Sequence, residues 1–264
     1  MRIVVLTKPV PDPASGAERL GPDHRLDRAA SPAVVNGNDE YALEAALQLT
    51  ERLEGDGHEV TVLAMAPSTA QETLRKALAM GATKGVLVTD DALAGADTLT
   101  TMRVLAATLR TLEYDLAFAG VDTSDGGAGV VPAGVAALLG QPYLSYAARI
   151  EPDPDAGTVR VRRISPTGFD VLEASFPALI SCTQALGAPR YPSLKGIMAA
   201  RSKEVVTKSL ADLDLEEGAP GGQWSTRVVA TEPPPERGPT KVVRAPAGEA
   251  AKEIADFLAS RRLI

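Results

Sequence analysis

Cysteine and histidine are scarce in this chain of 264 residues, and their scarcity removes several kinds of site. The one cysteine, Cys182, has no partner for an intrachain disulfide and excludes a cysteine-rich metal site. Because it ends an apolar run, we expect it to be a core thiol. The two histidines, His24 and His58, lie in polar stretches outside any HExxH motif and are expected at the surface. With no GxSxG elbow either, we predict no metal site and no catalytic residue.

A surplus of basic residues is also missing. The formal net charge is −7 and the isoelectric point about 5.0, which disfavours nucleic acid as the main partner. No run of about 18 apolar residues could span a membrane. The short apolar stretch at the N-terminus lacks the length and cleavage site of a signal peptide. We therefore expect a soluble cytoplasmic protein without nucleic-acid binding or membrane insertion.

Aromatic residues make up only 4% of the chain, so its core must be built mainly from Val, Leu, Ile and Ala. Strand patterns alternate with helix patterns along the first 140 residues. The predicted strands are residues 3–7, 59–65, 85–89 and 116–120, and the predicted helices are residues 39–53, 68–80, 97–112 and 129–139. This alternation predicts an α/β fold with a mostly parallel sheet and helices on its faces.

The pattern changes in the second half of the chain. Short strand-like pieces separated by turns predict an antiparallel edge on the same sheet. These pieces are residues 149–151, 158–164, 169–175 and 178–182. The sequence thus predicts a nucleotide-binding domain of residues 1–184 and a C-terminal arm of residues 185–264. The arm has linker-like stretches at 216–222 and 232–239 and an amphipathic helix at 249–261. It is expected to pack on a partner, the alternative being that it wraps its own domain.

The sharpest local feature is a glycine-rich turn, AGVDTSDGGAGV at residues 119–130, between a predicted strand and a predicted helix. Gly126, Gly127 and Gly129 allow close backbone approach to a ligand, and amides at a helix N-terminus suit an anion. The turn indicates a phosphate cradle, and a plain turn explains it equally well. It matches neither the dinucleotide GxGxxG motif nor the P-loop, and it is not the SGGxDS loop of ATP pyrophosphatases.

Other segments lie at the carboxyl ends of predicted strands, where parallel α/β sheets bind their ligands. They are residues 6–8 and 65–67, joined by residues 36–39 before the first helix. Asn36 could hydrogen-bond a base or ribose, although a turn or capping role is the simpler explanation. Elsewhere, residues 190–201 (RYPSLKGIMAAR) mix apolar and basic side chains. An exposed Leu or Met there could fill a partner's pocket, and a packed turn and helix is an equal alternative.

These segments together resemble the electron-transfer flavoprotein beta-subunit family. The resemblance rests on KPVPD at 8–12, NGNDEYALEAA at 36–46, QETLRKALAMGA at 71–82, the turn at 122–129 and PRYPSLKGIM at 189–198. They follow one another in the family's order from end to end of the chain. The resemblance implies a Rossmann-like sheet of the adenine-nucleotide alpha-hydrolase-like type, with an extended C-terminal arm that packs on an alpha subunit.

The resemblance also implies the ligands. FAD would be shared with, and held mainly by, the alpha subunit of a heterodimer, and AMP would be a structural ligand of this chain. The amides of residues 126–129 would take the AMP phosphate. Carried onto this sequence, the nucleotide contacts are Leu6, Asn36, Gly37, Asn38, Asp39, Met65, Gly120, Val121, Asp122, Thr123, Ser124, Asp125, Gly126, Gly127, Ala128 and Gly129.

The implied role is that of an electron carrier in fatty acid oxidation. It would accept electrons from dehydrogenases, such as acyl-CoA dehydrogenases, and pass them to the respiratory chain through a membrane quinone oxidoreductase. Residues 191–200, the docking segment, are similar to the family's recognition loop. Leu194 would enter a hydrophobic pocket of the dehydrogenase, and Tyr191, Ile197 and Met198 complete the partner-binding set.

Three alternatives stay open at this point. A bifurcating or nitrogen-fixation type of beta subunit would bind a second FAD where AMP would otherwise lie. A stand-alone nucleotide-binding regulator could use the same sheet, although such proteins are usually shorter and lack an arm of this kind. An adenylate-forming or nucleotide-hydrolysing enzyme is least supported, because its loop and any acid–base set are missing.

Overall fold

The protein is described by a computed structural model that covers residues 1–213, 215, 225–232, 235, 236, 238 and 240–264. Residues Met1–Val228 form one compact unit and Val229–Ile264 a second. The linker-like stretches predicted at 216–222 and 232–239 lie wholly or partly outside the described residues. None of the described helices is long and apolar enough to cross a membrane.

The first unit is built on a sheet of nine strands. They are β1 (Arg2–Leu6), β4 (Glu59–Met65), β5 (Lys84–Val88), β6 (Leu116–Gly120), β7 (Tyr143–Asp153), β8 (Thr158–Ser165), β9 (Gly168–Ser175), β10 (Ala178–Cys182) and β11 (Val205–Lys208). Two further strands, β2 (Pro9–Pro11) and β3 (Ala33–Val35), form a separate antiparallel pair. The order in the large sheet is β11-β5-β4-β1-β6-β10-β7-β8-β9. Pairs from β11 to β7 are parallel, and those from β7 to β9 are antiparallel.

Helices cover both faces of the parallel part. They are α1 (Gly37–Arg52), α2 (Gln71–Met80), α3 (Thr98–Arg110), α4 (Val131–Leu139) and α5 (Leu194–Ala200). Apolar side chains of α1, α2 and α5 join the core on one face, and those of α3 and α4 join the core on the other. The second unit contains α6 (Ala247–Ser260), whose bounds nearly match those of the helix predicted at 249–261. The mixed α/β fold with a large, mostly parallel sheet is therefore confirmed.

Some predicted details are wrong. The strand at 178–182 is not antiparallel: β10 lies between β6 and β7 and is parallel to both. All five of its side chains are buried, as is usual for an interior parallel strand covered on both faces. Strand β11 is not predicted from the sequence. It belongs to the predicted arm and pairs with β5 at the edge of the sheet. Its four residues are too few to show a pattern.

Two helix starts also differ from the prediction. Helix α1 begins at Gly37, two residues before the predicted start, so its cap position is Asn36 and Asn38 lies inside the helix. Helix α4 begins at Val131 rather than at residue 129, with proline in its first turn, where the missing amide costs nothing. The glycine-rich turn therefore precedes the helix instead of forming its first turn.

Candidate functional site

The carboxylate of Asp39, in the first turn of α1, joins the ends of two neighbouring strands. One oxygen accepts a hydrogen bond from the Lys8 backbone N–H (2.8 Å), just beyond β1. The other accepts from the Gly120 N–H (3.2 Å), at the end of β6. Burial raises the pKa of Asp39 to about 7, against the hydrogen bonds from Lys8, Asn36 and Gly120, which favour the ionised form. Asp39 thus fixes where α1 starts relative to the sheet.

Gly120 is required by this close approach. A Cβ atom at this position would lie 2.5 Å from an Asp39 carboxylate oxygen and 2.7 Å from the Asn38 carbonyl carbon. Real side chains do not tolerate such distances, so only glycine allows α1 to start directly over the end of β6. Gly37 has no comparable constraint, because a Cβ there would meet no atom within 4 Å.

Asn36 fastens the turn that follows β6. Its side-chain amide donates to the Asp122 carbonyl (2.8 Å), and its side-chain oxygen accepts from the Ser124 N–H (3.2 Å). Asn38 adds a hydrogen bond to the Asp122 carboxylate. Asn36 is almost fully buried, so its polar groups serve the turn itself. This arrangement explains why an asparagine stands at the cap position without capping the helix through its side chain.

Asp125, within the turn, is the centre of an ion-pair cluster. Its side chain is fully buried and pairs with the Lys8 ammonium (2.9 Å) and with the Arg28 guanidinium. Burial acts to raise the pKa of Asp125, but the charge of Lys8 and the hydrogen bonds from Lys8, Arg28 and Thr123 outweigh it. The pKa falls to about 2, and Asp125 is ionised at neutral pH.

The backbone of the turn exposes hydrogen-bond donors. Gly127 and Gly129 have φ of +54° and +63°, a conformation that favours glycine. The Gly127 N–H donates to the Thr123 carbonyl (2.8 Å), so of the four predicted phosphate donors this one is already engaged. Within the described part of the chain, the N–H groups of Gly126, Ala128 and Gly129 meet no acceptor. All four residues are exposed.

These donors and the Lys8 ammonium suit an anion. Lys8 Nζ lies 3.6 Å from the position that a Gly126 Cβ would occupy, and its side chain remains partly exposed. The arrangement therefore fits the phosphate of a nucleotide better than a neutral ligand. Lys8 and Arg28 lie at this turn, paired with Asp125, but are missing from the predicted nucleotide contacts. A signal existed for Lys8, which belongs to the segment predicted at 6–8 and lies two residues beyond the end of β1. None existed for Arg28, which lies in a short 3-10 turn between β2 and β3.

Other predicted contacts lie at the same edge of the sheet. Leu6 ends β1 and is nearly buried, and Met65 ends β4 and is half-buried against the core. Since β4, β1 and β6 are parallel neighbours, their carboxyl ends face the same side. The structure therefore brings the predicted nucleotide contacts together around the ends of these three strands, although the contacts themselves stay predictions.

The predicted partner-binding residues form an exposed apolar cluster. The exposed fractions are 95% for Tyr191, 77% for Leu194, 66% for Met198 and 46% for Ile197. Three of them lie on α5, whose N-cap Ser193 accepts from the Gly196 N–H (3.0 Å). The cluster belongs to the docking segment and not to the nucleotide site. Large apolar side chains exposed to this extent suit an apolar pocket on a partner.

The remaining chemically reactive side chains lie elsewhere. Cys182 is fully buried, and burial raises the pKa of its thiol, which fits the predicted core role. The His58 ring is within hydrogen-bond distance of the N-terminal amine (2.8 Å) at the opposite end of β1 from the site. His24 is exposed, as predicted.

Comparison with known proteins relates the chain to electron transfer flavoproteins. Residues 24–213 match the family model described as electron transfer flavoprotein domain. The chain is 39% identical to the electron transfer flavoprotein subunit beta of Mycobacterium tuberculosis, over 99% of each chain. It is 36% identical to the Clostridium acetobutylicum protein of the same name, over 100% of each. It is 34% identical to the caffeyl-CoA reductase-Etf complex subunit CarD of Acetobacterium woodii, over 99% of this chain and 97% of CarD.

Proposed function

The chain belongs to the electron transfer flavoprotein family, as a relative of its beta subunits, and we propose that it works as one half of a heterodimeric electron carrier. It pairs with an alpha subunit, receives electrons from dehydrogenases such as acyl-CoA dehydrogenases and delivers them to the respiratory chain through a membrane quinone oxidoreductase. FAD, held mainly by the alpha subunit, supplies the redox chemistry. This chain contributes a nucleotide site, a docking surface and a C-terminal arm, and no catalytic residue of its own.

The single observation that carries the proposal is the turn after β6. It combines the N–H groups of Gly126, Ala128 and Gly129, which meet no acceptor among the residues that the structure describes, with the ammonium of Lys8 beside them. In this proposal the turn holds the phosphate of AMP, and Asn36 and Asp39 keep the turn and the strand ends in place. AMP is then a structural ligand that completes the edge of the sheet.

A second candidate is a bifurcating or nitrogen-fixation type of subunit that binds a second FAD in the same site. The similarity to CarD favours it, because CarD is named as part of a caffeyl-CoA reductase-Etf complex. Both candidates use the same turn, and they differ in whether a terminal phosphate or a pyrophosphate lies on it. The identity of the bound nucleotide therefore separates them.

The docking segment and the arm are proposed to serve partners. Leu194 is the anchor for a pocket on the dehydrogenase, since it is a large apolar side chain at the exposed start of α5. Residues 229–264 are proposed to pack on the alpha subunit, which would bury the apolar side chains of α6. Ile254 and Phe257 of α6 are about half-exposed among the described residues.

The test is co-expression with the cognate alpha subunit. The proposal expects a one-to-one complex that carries flavin absorbance and is reduced by a dehydrogenase with its substrate. A chain that stays alone in solution and binds only ATP would overturn the carrier proposal and favour a stand-alone regulator.

A further inference from the structure

Arg190, the residue before the docking segment, is held by two carboxylates of α1. Its Nε and backbone N–H donate to Glu44 Oε2, at 2.7 and 3.1 Å. Its Nη1 and Nη2 donate to the two oxygens of Glu51, at 2.6 and 2.9 Å. Charged hydrogen bonds of this forked kind are stronger and more directional than those of a single ammonium. Arg190 therefore fixes one end of the docking segment to α1.

Glu44 is an unusual site for a carboxylate, because only 4% of the residue is exposed. Burial acts to raise the pKa of Glu44, but hydrogen bonds from Arg190 and Gln48 outweigh it and the pKa is lowered. An ionised carboxylate is stable in such a place only with a matched cation. Glu44 is thus the buried partner of the Arg190 guanidinium, and Glu51 is its more exposed second partner.

The other end of the segment is held on α2. Arg75 Nη1 donates to the Ala200 carbonyl (2.6 Å) and the Lys203 carbonyl (3.2 Å). Lys203 Nζ donates in return to the carbonyls of Leu78 (3.0 Å) and Ala82 (2.6 Å), at the end of α2. Carbonyl groups at helix ends lack partners within the helix, and cations satisfy them well.

The middle of the segment lies directly on the last turn of α2. A Cβ atom at Gly196 would overlap the Ala79 carbonyl oxygen, so α5 can approach this closely only with glycine there. Ala200, at the end of α5, is buried in the core. The segment is therefore fastened at its start, middle and end, while its large apolar side chains remain exposed.

We propose that Arg190, Glu44 and Glu51, together called the clamp, position the docking segment. The clamp holds the apolar side chains of the segment in their binding conformation before a dehydrogenase arrives. This inference rests on the docking role proposed above. A surface that is already ordered loses less conformational freedom on binding, so the clamp strengthens docking.

The first test measures the segment itself by hydrogen exchange, on the complete heterodimer. The variants are Arg190→Gln and Glu51→Gln, and the control is Arg160→Gln, which removes an exposed Arg–Glu fork on β8. We expect backbone amides in residues 191–203 to exchange at least about tenfold faster in Arg190→Gln, with a smaller rise in Glu51→Gln. The control should match the wild type. Wild-type exchange in both clamp variants would overturn the inference.

The second test measures flavin reduction by a purified acyl-CoA dehydrogenase charged with its substrate. We expect the KM for the dehydrogenase to rise roughly three- to tenfold in Arg190→Gln, with kcat and FAD content unchanged. Arg190→Lys should recover only part of the loss, because an ammonium cannot bridge both carboxylates. A fall in kcat with an unchanged KM would contradict a positioning role.

The two tests separate the clamp from the proposed function. If the wild-type heterodimer is not reduced by the dehydrogenase, the proposed function is overturned, and hydrogen exchange still decides whether Arg190 orders the segment. If Arg190→Gln does not fold because Glu44 is left unpaired, Glu51→Gln gives the decision. Its fold should persist, since Glu51 is mostly exposed and the Arg190–Glu44 pair remains.

Discussion

The carboxylate of Asp39 accepts a hydrogen bond from the backbone N–H of Gly120, 81 positions further along the chain. The same carboxylate holds the Lys8 N–H through its other oxygen. One side chain therefore aligns the ends of β1 and β6 with the start of α1. The glycine-rich turn begins at this point, so the geometry of the proposed nucleotide site depends on a residue that is almost fully buried.

Replacement of Gly120 by alanine should destabilise the protein by about 1–3 kcal/mol, because the added Cβ would collide with Asp39 and Asn38. Gly37→Ala is the matched control, since a Cβ at Gly37 meets open space within the same helix start. Urea unfolding of both variants checks the prediction. Equal stability of the two variants would show that the contact between α1 and β6 is not as tight as described.

Asp39→Asn should destabilise the fold by about 1–3 kcal/mol near pH 5–6, because the side-chain NH2 would face one of the two backbone N–H groups. The difference from the wild type should shrink as pH rises. The native pKa of about 7 lies above the unfolded value of 3.8, so the stability that Asp39 contributes is fully present below about 3.8 and is lost progressively until the pH passes about 7. Unfolding free energies at pH 5, 6.5 and 8 measure this trend, and a constant difference would refute it.

Gly127→Ala should lower nucleotide retention several-fold. At φ +54° an alanine is strained by about 1 kcal/mol, and the turn must shift to relieve the strain. Gly157→Ala is the control, because Gly157 has a similar φ of +66° and open space but lies in the β7–β8 turn. Both variants should lose similar stability. If their purified heterodimers retain the same amount of nucleotide, the turn is not the phosphate site.

Leu194→Ala should leave heterodimer assembly and FAD content intact and slow electron uptake from dehydrogenases. A large apolar side chain in a partner's pocket contributes about 2 kcal/mol, which corresponds to a roughly thirtyfold weaker docking. Leu20→Ala, another exposed leucine outside the docking segment, is the control. Rates of flavin reduction at limiting dehydrogenase would show the effect, and an unchanged rate in Leu194→Ala would remove its anchor role.

The parallel half of the fold could be predicted because its signals are local. The strands at 59–65 and 116–120 match the predicted bounds, since each apolar run is bounded by turn or helix signals. The position of β10 could not be predicted in this way. Its apolar run indicates that it is buried but does not indicate which strands flank it. In the chain β10 follows β9, yet in the sheet it lies between β6 and β7.

Some residues of the candidate site can also be predicted from local sequence, and others cannot. Glycines in the turn after β6 are visible in the sequence, because their type and position between a strand and a helix carry the signal. The ion pairs of Arg28 and Arg190 could not be predicted, since each joins a carboxylate distant in the chain, although Arg190 itself lies in the segment predicted to bind a partner. The position of residues 36–39 before the first helix and the family resemblance both predict Asp39 at the site, and the structure shows that both its oxygens accept hydrogen bonds from backbone amides.

Acid release and chromatography of the nucleotides bound to the purified heterodimer decide whether this chain holds AMP. We predict one FAD and one AMP per heterodimer, with AMP reduced in Gly127→Ala. Two FAD and no AMP would move the assignment to a subunit of the bifurcating type. A heterodimer with FAD but no second nucleotide would contradict the proposed site on the glycine-rich turn.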